Sequence, residues 1–157
     1  MRVIIAFVVY FMVTGSTAFP QAEKVVHWLG FEQLEDSLKI HPKKVFIDFY
    51  ADWCGPCIKM QNDVFTDKKI VALLNEEYYA VKMNVESIDT IMFGNQRFVN
   101  ERQNRRNPVH QIPLLMASQK NKPFSLPALV VMDENFHARA RYFQYLSVEQ
   151  LSKILAQ

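Results

Sequence analysis

The sequence predicts an α/β domain: a central mixed β-sheet flanked by helices, with a hairpin-like segment around residues 86–106. Three observations carry this. Val45-Phe46-Ile47-Asp48-Phe49-Tyr50 is a near-continuous apolar run, which is how a central strand covered on both faces reads. Several other segments place apolar residues at helical spacing. The order of these signals is β-α-β-α-β, then a stretch with a helix of its own, then β-β-α. Mixed order of this kind gives a sheet covered by helices.

Taken along the chain, Val25 to Trp28 reads as a short edge strand. Phe31, Leu34 and Leu38 predict a helix over 30–39, ended by His41-Pro42. The central strand follows, and a helix opens at Cys54. Thr66 is the expected N-cap of a second helical stretch, with Ile70, Leu73 and Leu74 facing inward. Tyr79 to Val85 reads as a strand. Asp89–Phe93 and Arg97–Val99, around Gly94-Asn95-Gln96, predict a β-hairpin. Residues 108–118 read as a helix with Pro108 near its start and Pro113 inside it, where a proline kinks the axis. Leu129–Met132 is a short buried strand, and a turn at Asp133-Glu134-Asn135 leads to its partner over Phe136–Tyr145. Ser147 with Gln150 three residues on forms a capping box for a last helix, whose buried face is Leu151, Ile154 and Leu155.

The 157 residues fit one domain, 19–157, behind a short leader, and half of them are apolar. Residues 1–18 read as a secretory signal: Arg2, an unbroken apolar run of 11 residues from Val3 to Val13, then small residues with Ser16 and Ala18 at the small-x-small positions. A membrane span needs roughly 20 apolar residues, so the run is too short for one. The chain is therefore expected to be exported, to the periplasm, beginning near Phe19. Without the leader, 17 basic residues face 16 acidic ones, and this balance points to no nucleic-acid partner.

Both cysteines lie in one C-x-x-C, Cys54 and Cys57. So short a loop contributes little as a staple, so the pair is there for its chemistry. A zinc site needs four ligands. No second cysteine pair exists, and His27, His41, His110 and His137 are scattered, so no metal is expected. A strand ending at Tyr50 and a helix opening near Cys54 set the first thiol at a helix N-terminus. Free backbone N–H groups and the positive end of the helix dipole stabilise a thiolate there. Gly55 lets the backbone turn closely, and Pro56 has no N–H to waste in a first turn. Cys57 falls one turn on, within bridging reach.

The segment VFIDFYADWCGPC, Val45–Cys57, resembles the active-site region of thioredoxins, and the resemblance covers essentially all of residues 24–157. It implies a thioredoxin fold, no cofactor, and thiol–disulfide exchange in which Cys54 attacks and Cys57 resolves. It implies that Trp53, Gly55 and Pro56 support the site. It implies that Asp48 is buried behind Cys57 and helps move its proton, a task suited to the raised pKa of a buried acid. Lys82 matches the lysine that pairs with that acid. Pro127, preceding the strand Ala128-Leu129-Val130-Val131, matches the cis-proline facing the dithiol, where the Leu126 backbone is exposed for pairing with an extended substrate.

The chain also departs from common thioredoxins. Asn62 stands where they carry a helix proline, and Asp63-Val64-Phe65-Thr66-Asp67 resembles exported thioredoxin-like proteins whose helix breaks and restarts at the threonine. The stretch from Lys82 to Pro127 is longer and reads as an insert. Within 97–122, Arg97, Arg102, Arg105, Arg106, Lys120 and Lys122 face only Glu101, a net of +5 that is either a solvated loop or a docking surface for an acidic partner. Gly55-Pro56 is the dipeptide of reducing thioredoxins. The resemblance therefore implies a reductase of disulfides in exported proteins, fed by an upstream electron donor. An oxidase or isomerase using the same chemistry, and a non-catalytic interaction module, are the alternatives.

Overall fold

The computed structural model describes residues 25–157; the expected leader and its cleavage point lie outside them. Twelve elements follow in chain order: β1 (Trp28–Leu29), α1 (Phe31–Ile40), β2 (Lys44–Tyr50), α2 (Gly55–Asp63), α3 (Lys68–Glu77), β3 (Tyr78–Asn84), β4 (Ile91–Phe93), β5 (Gln96–Phe98), α4 (Gln111–Ala117), β6 (Ala128–Met132), β7 (Ala138–Tyr142) and α5 (Val148–Leu155). Five strands form one sheet in the order β1-β3-β2-β6-β7. β1, β3 and β2 run parallel, while β6 is antiparallel to β2, and β7 to β6.

β2 lies at the centre because it is apolar on both faces. Side chains alternate between faces along a strand. Val45, Ile47 and Phe49 join a core with Phe31 and Leu34 of α1 and Ile112 and Ala117 of α4. Phe46 joins a second core with Met60 of α2, Ile70, Val71 and Leu74 of α3, and Leu151 and Leu155 of α5. By this period of two, Asp48 shares Phe46's face, the one that α2 and α3 cover. In the ladder it stands between Lys82 of β3 and Leu129 of β6.

Several expected boundaries move. The edge strand is Trp28–Leu29 rather than 25–28, because these residues align with Ala80 and Val81 of β3. α3 is capped by Asp67, whose carboxylate accepts the N–H groups of Lys69 and Ile70; the Thr66 hydroxyl instead donates back to the Asn62 carbonyl. A carboxylate one residue nearer the helix outcompetes the hydroxyl. The hairpin turns on Gly94 and Asn95, both at positive φ (60° and 59°), so Gln96 belongs to β5. On the hairpin's outer side, Met92 and Gly94 donate their N–H groups to Glu32 and Glu35 of α1. α4 begins at Gln111, not Pro108, with His110 as its N-cap. Pro113 thereby falls in the first turn, where no N–H is needed, and it causes no break. β7 starts at Ala138 because Phe136, at φ 61°, is still in the turn. The Ser147–Gln150 capping box forms as read.

Candidate active site

Cys54 and Cys57 are joined by a disulfide with Cα atoms 5.2 Å apart. The Cys54 N–H donates to the Ala51 carbonyl (3.0 Å), closing the turn that follows β2. Cys54 is the N-cap of α2: extended at φ −77° and ψ 97°, its Sγ accepts the Cys57 N–H at 3.2 Å. Pro56 occupies the first turn. The sulfur thus takes the place that a serine or aspartate oxygen takes at other helix starts. Both cysteines are almost fully buried, at 3% and 1% exposure.

Contrary to the close turn expected there, Gly55 does not adopt a positive φ, and a Cβ would meet nothing within 4 Å. No close turn demands glycine; the missing side chain leaves open space beside the disulfide. Trp53 is exposed, yet its indole N–H donates to Glu86 Oε1 at 2.8 Å. Asn84 ties the same two segments together, donating to Asp52 Oδ2 (3.2 Å) and accepting the Glu86 N–H (2.9 Å). Glu86 and Asn84 were invisible as site residues in the sequence, because no local pattern links position 53 to position 86.

Asp48 is 2% exposed, and its Oδ2 accepts no hydrogen bond among the described residues. Burial pushes its pKa up to about 7, with the positive charge of Lys82 pulling weakly the other way. Lys82 lies directly across the ladder. It makes no ion pair with Asp48 among the described residues. The expected pairing is instead a through-space coupling: the Lys82 amine sits 4.6 Å from the Tyr50 ring centroid and 5.8 Å from that of Trp28. Burial lowers the amine's pKa, opposed by Asp48 and Asp52. The site end of this face therefore carries an acid and a base that both resist ionising.

The Leu126–Pro127 bond is cis. Pro127 precedes Ala128, which pairs with Phe49 near the end of β2, so it lies at the sheet end where α2 begins. Two polar residues that the sequence did not single out are also buried there. Asn100 donates to the Ser87 and Pro108 carbonyls (3.0 and 2.7 Å) and accepts the Arg102 N–H (3.0 Å). His110 accepts the Ile112 N–H on Nδ1 (3.2 Å) and meets the Asp89 carbonyl with Nε2 (3.1 Å), so the proton resides on Nε2. Burial lowers its pKa. Among the described residues no three His, Cys, Asp or Glu gather as a metal-holding group, and no helix is long and apolar enough to cross a membrane.

The chain is similar to known proteins in sequence and in fold. Thioredoxin 1 of Chlorobaculum tepidum is 36% identical over 55 residues, 35% of this chain and 52% of that protein. The thiol:disulfide interchange protein DsbD of Campylobacter jejuni is 30% identical over 56 residues, 36% of this chain and 10% of that protein. The chain thus spans about half the length of the first relative and a tenth of the second. A solved thioredoxin from Thermus thermophilus superposes with a TM-score of 0.59 at 15% identity, covering 85% of this chain and 86% of that one, a likeness of fold. A family model described as a thioredoxin-like domain matches residues 31–157, where four of the five strands of the sheet, the C-x-x-C disulfide and the cis-proline lie, and the chain belongs to that thioredoxin-like family.

Proposed function

We propose that this chain is an exported, periplasmic thiol–disulfide oxidoreductase that reduces disulfides of other exported proteins. The observation that supports it best is the N-capping Cys54 sulfur at the mouth of α2, with buried Asp48 titrating near neutrality on the face that α2 covers. In the reduced protein the Cys54 thiolate, held by the Cys57 N–H, attacks one sulfur of a substrate disulfide. A mixed disulfide forms and the substrate's other sulfur leaves as a thiolate. Asp48 takes the Cys57 proton. The Cys57 thiolate then attacks Cys54 Sγ, freeing the second substrate thiolate and leaving the Cys54–Cys57 disulfide. Two electrons have moved to the substrate, and an upstream dithiol donor returns them. Trp53 and the open space at Gly55 give the substrate an approach. The Leu126 backbone beside Pro127 is a place for it to pair as an extended chain.

The reductive direction rests on Gly55-Pro56, and the redox potential tests it. Equilibration in glutathione buffers should give a value nearer the thioredoxin figure of about −270 mV than the oxidant figure of about −120 mV. A potential above about −150 mV would replace the reductase with an oxidase on the same site.

A further inference from the structure

We propose that the loop between β5 and α4 is a docking surface for an acidic segment of the polypeptide whose disulfide is exchanged, an inference that rests on reading the dithiol as an oxidoreductase site. Residues 101–107 are Glu-Arg-Gln-Asn-Arg-Arg-Asn, and all are exposed. Arg102, Arg105 and Arg106 form no ion pair with any described carboxylate. Glu101, the one acid between 97 and 122, is engaged by the Gln111 side-chain amide at 2.9 Å.

The loop is built, not loose. Buried Asn100 clamps it at the base, bonding to Ser87, Pro108 and Arg102. Gln111 and Val99 exchange two further bonds, and Arg105 N–H closes a turn on the Arg102 carbonyl (2.8 Å). Three guanidinium groups are thus displayed on a preorganised backbone, which lowers the ordering cost of binding.

The His110 N–H donates to the Val85 carbonyl, and the Val85 N–H to the Tyr50 carbonyl, both at 2.8 Å. Two hydrogen bonds therefore link the end of this loop to the end of β2 that delivers Cys54. Lys120 and Lys122 lie in the segment that returns to Pro127 at the same sheet end. The bank beside Trp53 is acidic, with Asp52 and Glu86, so an acidic segment is drawn toward the arginines and away from the indole, which sets its direction across the dithiol. The exposed stretch 101–107 carries no apolar side chain to enter a lipid surface, so a polypeptide fits it better than a membrane.

The test uses disulfide-bridged peptides of equal length whose flanks are glutamate, serine or lysine. Their reduction is followed at low salt and in about 0.5 M salt, where charges beyond a few ångströms are screened. The glutamate peptide should exceed the serine peptide in kcat/KM by about tenfold at low salt and by under about twofold at high salt. Arg102→Glu/Arg105→Glu/Arg106→Glu should invert that order and leave the serine peptide within about twofold, because all three side chains are exposed; the Gln triple variant should abolish the order without inverting it. Equal ratios in wild type and variants would overturn the proposal. So would binding to anionic vesicles without any peptide preference. A wild-type protein that reduces none of the peptides refutes the oxidoreductase reading instead; the surface is then judged by fluorescence anisotropy with a cysteine-free glutamate-rich peptide. Equal binding of that peptide by wild type and charge-reversed protein sinks it.

Discussion

Replacing Asp48 by Asn removes a charge that the fold resists, and the size of the effect follows from the site. Folding raises the pKa from 3.8 to about 7. The native state therefore keeps a proton that the unfolded chain releases, and stability falls as pH rises between these values, then levels off. At 1.36 kcal/mol per unit, the ionised acid costs about 4 kcal/mol above pH 7. The amide recovers only part of this, since it too is buried where Oδ2 has no protein partner and such a group costs about 1–3 kcal/mol. Asp48→Asn should thus stabilise the oxidised protein by about 1–3 kcal/mol at pH 8, destabilise it by up to about 2 kcal/mol at pH 4, where the wild-type acid is already protonated, and flatten the slope between. Denaturant unfolding of both proteins across pH 4–8 measures this. Parallel curves would refute the reasoning, because they would mean that Asp48 titrates alike in both states. Single-turnover reduction on the same samples separates stability from proton transfer: release of the mixed disulfide should slow near neutral pH in a variant that is more stable.

Three further outcomes are expected. In the reduced protein, limiting iodoacetamide at neutral pH should label Cys54 before Cys57, because its sulfur is the N-cap of α2; peptide mapping reads this, and preferential Cys57 labelling would reverse the assigned roles. N-terminal sequencing of the exported protein should begin near Phe19, and a retained Met1 would oppose the secretory reading. His110→Ala should cost about 2–4 kcal/mol, combining a lost N-cap with an orphaned Asp89 carbonyl and a cavity; a midpoint shift under about 0.5 kcal/mol in denaturant unfolding would show that these contacts carry no weight.

The sheet and the dithiol were legible because their signals are local. A strand buried on both faces must be apolar at every position, so β2 and β6 read as continuous runs, and a single acid within one stands out as Asp48. The helix start at Cys54 needed only a strand, a turn and a proline in sequence. What stayed hidden depends on partners far apart in the chain. Trp53 meets Glu86 across 33 positions, and the Lys82 amine turns to two rings rather than to the acid opposite. His110 looked like an isolated residue until its two ring nitrogens proved to hold a helix start and a loop. Boundary errors were competitions between neighbours: Asp67 displaced Thr66, and a histidine cap moved the start of α4 past Pro108.

If the chain takes its substrates as extended polypeptides, as proposed, its own architecture carries a hazard. Any bare strand margin can capture the same unfolded polypeptide and hold it where no chemistry occurs. The outer margin of β4 is such a place, and α1 closes it. The carboxylates of Glu32 and Glu35 occupy the N–H groups of Met92 and Gly94 that an incoming strand would seek. Two acidic side chains on a helix thus act as a selvedge, finishing that side of the hairpin so that it does not unravel into a second, unproductive binding strip.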